Sequence, residues 1–213
     1  MHHLLGRYVG LSEHQSVAVA LWIVHTFVYQ RFTITPRLLL TSPVRGCGKT
    51  TLLDIIEALC ARPLKSDHIS PAGIYHAIDR KRATLLIDEA DNLGLASNAT
   101  LRAILNSGHR KGGAVTRYRN GQDQSFSTFA PVVVAAIGTL PLPLMDRSIV
   151  IHMERHDGRR ELKRLDKDDV DTKADLNIAY GMASTWSRNA ELSSDPPLPV
   201  QLRNRPADNW ASG

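Results

Sequence analysis

Arg37-Leu38-Leu39-Leu40-Thr41, then Pro43-Val44-Arg45-Gly46-Cys47-Gly48-Lys49-Thr50, then Thr51-Leu52-Leu53-Asp54-Ile55-Ile56-Glu57-Ala58-Leu59, decides how this chain is read. The first stretch reads as a buried strand, the second as a loop and the third as an amphipathic helix. A glycine-bearing loop that opens a helix aligns backbone N–H groups at the helix N-terminus, where phosphate oxygens can be held. Arg45, Gly46, Cys47, Gly48, Lys49, Thr50 and Thr51 are therefore the candidate phosphate-binding residues. Lys49 would reach the β- and γ-phosphates of ATP, and the Thr50 hydroxyl would ligate Mg²⁺. Pro43 stands where the usual pattern has Gly. Proline fixes φ at about −65°, so the entry to the loop must differ.

The partner signal is Thr84-Leu85-Leu86-Ile87-Asp88-Glu89. An apolar run ending in two carboxylates suggests a strand buried on both faces with acids at its C-terminal edge, where open α/β sheets place ligands. Asp88 would complete the Mg²⁺ shell, and Glu89 would orient and deprotonate the attacking water. The plain alternative is a solvated acidic turn, Glu89-Ala90-Asp91-Asn92, after an ordinary strand. The phosphate loop upstream weighs against it.

The 213 residues suffice for one sizeable domain, or one domain with an appendage. The most apolar stretch, Ser16-Val17-Ala18-Val19-Ala20-Leu21-Trp22-Ile23-Val24, continues to Tyr29 through His25 and Thr26. It falls short of the roughly 20 apolar residues of a membrane span. It also lacks the basic flank and cleavage site of a signal peptide. No membrane partner is expected. Ser12-Glu13-His14-Gln15 reads instead as a capping box opening a buried helix. Two cysteines, Cys47 and Cys60, give neither a disulfide framework nor zinc spacing, and a reducing cytoplasm is the simple expectation. A net charge of +5 permits a polyanionic partner without demanding one.

The pattern predicts a helix over 12–32, a strand over 37–42, a helix over 49–60 and a second strand over 64–68. Ser70-Pro71 starts a helix carrying Ile74, Tyr75 and Ile78. After the acidic strand, Ser97 or Asn98 caps another helix, and Gly108 is its natural stop. Pro131-Val132-Val133-Val134-Ala135-Ala136-Ile137-Gly138 and Ser148-Ile149-Val150-Ile151-His152 are further strands. Strands alternating with helices predict an α/β fold with a central parallel sheet. The expected organisation is an N-terminal helical segment over 1–36, a core over 37–155 and a partial helical lid over 156–213. Trp210 is a large apolar residue so near the end that the lid is expected to be cut short there.

Between Gly108 and Pro131 the chain is irregular and basic. Gly112-Gly113 and Asn120-Gly121 signal turns, and 114–119 could pair with 125–129 as a hairpin. Arg110, Lys111, Arg117 and Arg119 gather there, with Tyr118 among them. Cations beside an aromatic suit a nucleic-acid backbone and a stacked base; a solvated surface hairpin explains them equally well.

This succession resembles the AAA+ class of P-loop ATPases. The resemblance implies a three-layer P-loop NTPase core of the ASCE type with strand order 5-1-4-3-2. It implies that Thr139, at the tip of the fourth core strand, senses the γ-phosphate. It also implies that Arg147, in Leu142-Pro143-Leu144-Met145-Asp146-Arg147-Ser148, is an arginine finger acting in trans on ATP held by a neighbouring subunit of a homo-oligomeric ring. A surface ion pair for Arg147 and a plain strand end for Thr139 remain the alternatives.

More narrowly, several stretches look like a bacterial family of domains common in actinobacterial phages, plasmids and integrated elements, beside primase- or helicase-like modules. They are Leu40-Thr41-Ser42-Pro43-Val44-Arg45-Gly46-Cys47-Gly48-Lys49-Thr50-Thr51, Leu85 to Asp91, Ile104-Leu105-Asn106-Ser107-Gly108-His109-Arg110, Asp146-Arg147-Ser148-Ile149 and Arg205-Pro206-Ala207-Asp208-Asn209-Trp210. That resemblance runs from about Leu11 to Trp210, and in it Pro43 is shared. Asp88-Glu89-Ala90-Asp91 also spells a signature of two-lobed RNA helicases, but 213 residues leave no room for a second motor lobe. The leading expectation is an ATPase that binds ATP/ADP with Mg²⁺ and acts on DNA. A nucleotide-gated regulator is the alternative, and a small kinase is disfavoured by the Asp-Glu strand end.

Overall fold

The run Leu38-Leu39-Leu40 divides its side chains between two cores, as a strand covered on both faces must. Leu38 and Leu40 join one apolar cluster, and Leu39 joins the other. The computed structural model describes every residue except 67–68, 91–97, 120, 194–195 and 212–213, and the side chain of Arg119. Its strands are β1 (Arg37–Ser42), β2 (Pro63–Ser66), β3 (Thr84–Ile87), β4 (Ala114–Arg119), β5 (Gln122–Ser127), β6 (Val132–Ile137) and β7 (Ser148–His152). Its α-helices are α1 (His2–Tyr8), α2 (Glu13–Val28), α3 (Lys49–Leu59), α4 (Pro71–Lys81), α5 (Ala99–Ser107), α6 (Leu142–Met145), α7 (Val170–Asn189) and α8 (Arg205–Ala211).

Five strands form a parallel sheet in the order β2-β3-β6-β1-β7, with β1 between β6 and β7. Numbered along the chain, the core strands run 5-1-4-3-2, the order expected. Helices flank both faces. Residues of α1, α2, α3 and α7 pack with Leu38, Leu40, Val133 and Ala135. Residues of α4, α5 and α6 pack with Leu39, Val132, Val134 and Leu85 on the opposite face. In α3, Leu52, Leu53, Ile55, Ile56 and Leu59 are fully buried. Each such side chain contributes about 2 kcal/mol when removed from water.

The expected local signals set several boundaries. Ser12 and Gln15 exchange the two hydrogen bonds of a capping box at α2. Ser70 caps α4 with Pro71 in its first turn, and Asn98 caps α5; Ser97, the other candidate cap, lies outside the described residues. The helix expected over 12–32 stops sooner. Val28 takes φ −121° and ψ 0°, and Tyr29–Arg31 close a 3-10 turn. The second hairpin strand begins at Gln122 rather than 125, because Arg119 pairs with Gln122 directly across the turn. The tail of the strand expected over 64–68 lies beyond Ser66, outside the described residues.

Gly108 ends α5 as expected but for another reason. It keeps helical angles, and a Cβ there would fall 1.9 Å from the Thr128 carbonyl oxygen. Close backbone approach, not a left-handed turn, requires glycine. The helix α1 and the single turn α6 were not anticipated. Trp210, an outlier in the sequence, packs partly buried against the core that α2 and α3 share. Among the described residues no helix is long and apolar enough to cross a membrane.

Candidate functional site

The loop between β1 and α3 turns through two left-handed glycines, Gly46 at φ +79° and Gly48 at φ +83°. Gly48 takes the N-cap of α3 and offers no side chain, so the first-turn N–H groups have no side-chain cap. Cys47 is buried, its side chain in the core cluster and its thiol donating to the Val44 carbonyl at 3.4 Å. Its contribution to the loop is therefore backbone. Lys49 Nζ donates to Ser42 Oγ at the end of β1, and Ser42 Oγ donates to Val44 O at 2.7 Å.

One strand away, separated from β1 by β6, β3 delivers Asp88 and Glu89 to the same edge. Asp88 is buried, and both carboxylate oxygens are engaged. Oδ1 accepts from the Glu89 N–H at 2.9 Å, and Oδ2 accepts from Thr50 Oγ1 at 3.2 Å. Glu89 is exposed and takes φ +48°, a left-handed conformation that costs a non-glycine residue about 1 kcal/mol. The Ala90 N–H donates to Ala135 O at 2.9 Å and fixes the exit of the acidic strand against β6.

These parts enclose a cavity of about 510 Å³, lined by residues 45–51 of the loop with Asp88, Glu89 and Ile137. The seven loop candidates and both acids therefore share one space. Two hard oxygen donors, the Thr50 hydroxyl and the Asp88 carboxylate, stand close enough to share a small divalent cation, and Mg²⁺ suits such a partial shell because it keeps waters and phosphate oxygens as its other ligands. Among the described residues no group of three or more His, Cys, Asp or Glu is placed to hold a metal without such help.

Thr139 lies at the same sheet edge, exposed, after Gly138, whose N–H donates to Ser42 O at 3.0 Å. The cavity wall there is Ile137, two residues earlier. A wall that the sequence reading missed comes from the N-terminal segment and the end of β7. A Cβ on Gly48 would meet Val9 Cγ1 at 3.4 Å and Met153 Cε at 3.8 Å. Beside it, Gly10, His152 and His156 border a second cavity of about 590 Å³. Its parts come from chain segments more than a hundred residues apart, so no local spacing announced it. A larger cavity, about 680 Å³, lies among α1, α2 and α7, remote from the loop and mostly apolar.

The structure keeps Arg147 away from this edge. The Arg37 N–H donates to Arg147 O at 2.9 Å, so Arg147 stands where β1 begins, while the loop follows where β1 ends. Six strand residues separate the two, roughly 20 Å. Arg147 Nη1 donates to Pro143 O at 2.5 Å. Burial first, then the charge of Arg205, lowers its proton affinity. Beside it, Arg37 is fully buried and donates through Nε and Nη2 to Leu105 O at 3.1 and 2.8 Å and through Nη1 to Ala130 O. Burial, then Arg147, pushes the Arg37 pKa down to about 9.

Among the described residues the hairpin cations do not form one patch. Arg110 is exposed at an isolated bridge to Ile34. Lys111 folds back, donating through Nζ to Gln30 O at 3.0 Å. Arg117 lies 5.9 Å from the centre of the Tyr75 ring, a cation–π contact within the fold. Tyr118 is 73% exposed and, by the alternation of β4, points to the opposite face from Arg117. The aromatic partner of Arg117 is therefore Tyr75 on α4, not its neighbour Tyr118. The side chain of Arg119, the fourth of these cations, lies outside the described residues. No protein-family model matches this chain, and no curated protein matches it either.

Proposed function

We propose that this chain is an ATP-binding, Mg²⁺-dependent ATPase of the AAA+ type that works as a head-to-tail oligomer on DNA. The observation that carries the reading is the 3.2 Å approach of Thr50 Oγ1 to Asp88 Oδ2, from residues 38 apart in sequence, inside the cavity lined by the glycine loop. The first-turn N–H groups of α3 and the Lys49 ammonium would bind the phosphates. Lys49 would exchange its bond to Ser42 for one to a phosphate oxygen. Glu89, at the cavity mouth, would orient the attacking water and take its proton. Magnesium bound at Thr50 and Asp88 would neutralise charge on the β- and γ-phosphates.

Arg147 supports an oligomer because it lies too far from the loop of its own chain to touch the same nucleotide. An arginine supplied by a neighbour is worth roughly 10³-fold or more in rate, so the monomer would bind ATP yet turn it over slowly. One set of observations favours a second reading, a nucleotide-gated regulator without motor activity: Lys111 and Arg117 already engage Gln30 and Tyr75 of their own chain. Turnover measured with and without single- and double-stranded DNA at low salt, alongside sizing with ADP or a non-hydrolysable analogue, separates the two. Stimulation by DNA supports the motor. Tight ATP binding with no DNA affinity supports the regulator, and no ATP binding refutes both.

A further inference from the structure

Arg205 and Asn209 stand one turn apart on α8 and share a face of that helix. Asn209 is buried, and both ends of its amide are used. Nδ2 donates to Asp146 O at 3.2 Å, which leaves Oδ1 to accept from His109 Nε2 at 2.9 Å. Arg147 follows Asp146 directly, so the amide that anchors α8 also brings Arg205 within electrostatic reach of Arg147. Their charges are felt mutually, since Arg205 makes Arg147 easier to deprotonate. Among the described residues neither guanidinium forms an ion pair with a carboxylate. Two guanidiniums near one another at one sheet edge, one exposed and one half-exposed, can converge on an anion with several oxygens.

We propose that Arg205 is a second phosphate-directed arginine, acting beside Arg147 on the triphosphate held by the loop of a neighbouring copy, and that Asn209 is the positioning residue for the pair. This rests on the ATPase reading above. The pair sits at the sheet edge opposite its own loop, so a head-to-tail contact between copies is what would bring pair and loop together. A nucleic-acid backbone is the less suitable anion. Backbone tracking uses cations spread along a groove, whereas this is a single local pair held by one buried amide.

The test is ATP turnover and ATP affinity of single variants and of mixtures. Arg205→Ala should lower turnover by about tenfold or more and leave ATP affinity of the chain unchanged. Arg205→Lys should restore part of the rate, because a point charge replaces the fork. Asn209→Ala, with folding checked by thermal unfolding, should show the same split between rate and affinity. An equimolar mixture of Lys49→Ala and Arg205→Ala should recover about one quarter of the unmodified rate, the share of random head-to-tail contacts that join an intact loop to an intact pair. Full turnover by Arg205→Ala, when Arg147→Ala is slow, overturns the inference alone. So does the absence of recovery on mixing, and so does lost DNA affinity at unchanged turnover, which would mark a nucleic-acid contact. Absence of turnover by the unmodified protein at every concentration refutes the ATPase reading and this inference with it.

Discussion

At the C-terminal edge of the sheet, Lys49 is bonded to Ser42 and Thr50 to Asp88, so cation and carboxylate share one cavity. At the N-terminal edge, Arg37, Arg147 and Arg205 all act on His109, and backbone carbonyls and one amide hold them there. The first edge can receive a phosphate and a metal together. The second gathers several cations, held mainly by hydrogen bonds to carbonyls, with the Asp146 carboxylate as a counter-charge to Arg147. An edge of that kind costs stability in the free chain and gains from an anion brought from outside. Under the proposed reading the two edges would meet between copies, not within one.

The comparison breaks most visibly at the first edge. Glu89→Gln should keep ATP binding and lower turnover by about 10³-fold, about 4 kcal/mol in the barrier, as single-turnover kinetics would show. At the second edge, Arg37→Met leaves the Leu105 and Ala130 carbonyls without their donor in a buried site. It should cost about 3 kcal/mol in urea unfolding while leaving the loop geometry and ATP affinity intact.

The second edge also titrates. Burial, opposed by the Asn209 bond and joined by the charges of Arg37, Arg147 and Arg205, lowers the His109 pKa from the ordinary 6.5 to about 4. Between those values the unfolded chain binds a proton that the folded chain refuses. Stability is thus full above pH 6.5 and is lost as pH falls toward 4, by about 2 kcal/mol. His109→Gln should flatten that part of the pH profile. Gly48→Ala, at φ +83°, should cost about 1 kcal/mol and weaken ATP binding without touching the pH profile. The smallest effect is expected off both edges: Arg117→Ala should reduce the salt slope of any DNA binding by about one, uniformly across sequences.

How far each edge could be read from sequence follows from how far apart its residues lie. The first is built from two short continuous stretches, the loop with its helix and the four-residue strand that Asp88 follows. Glycine placement, helix period and paired acids are local signals, so both stretches were legible, whereas the sheet order was legible only through resemblance. The contacts of Val9 and Met153 beside Gly48 escaped, because they reach the loop from distant parts of the chain. The second edge joins residues 37, 109, 147, 205 and 209. Arg147 was legible only through resemblance. Arg37 read as an ordinary strand start, and nothing near it in sequence marks it as a buried cation. At the hairpin, the gathering of cations around Tyr118 was legible, but the ring that Arg117 meets, Tyr75, sits on another element.

Equilibrium binding of ATP with and without Mg²⁺, to the unmodified chain and to Lys49→Ala and Asp88→Ala, addresses the central claim most directly. The account predicts affinity that Mg²⁺ strengthens, that Lys49→Ala abolishes and that Asp88→Ala renders insensitive to Mg²⁺. Equal affinity in all three proteins, unchanged by magnesium, would contradict it.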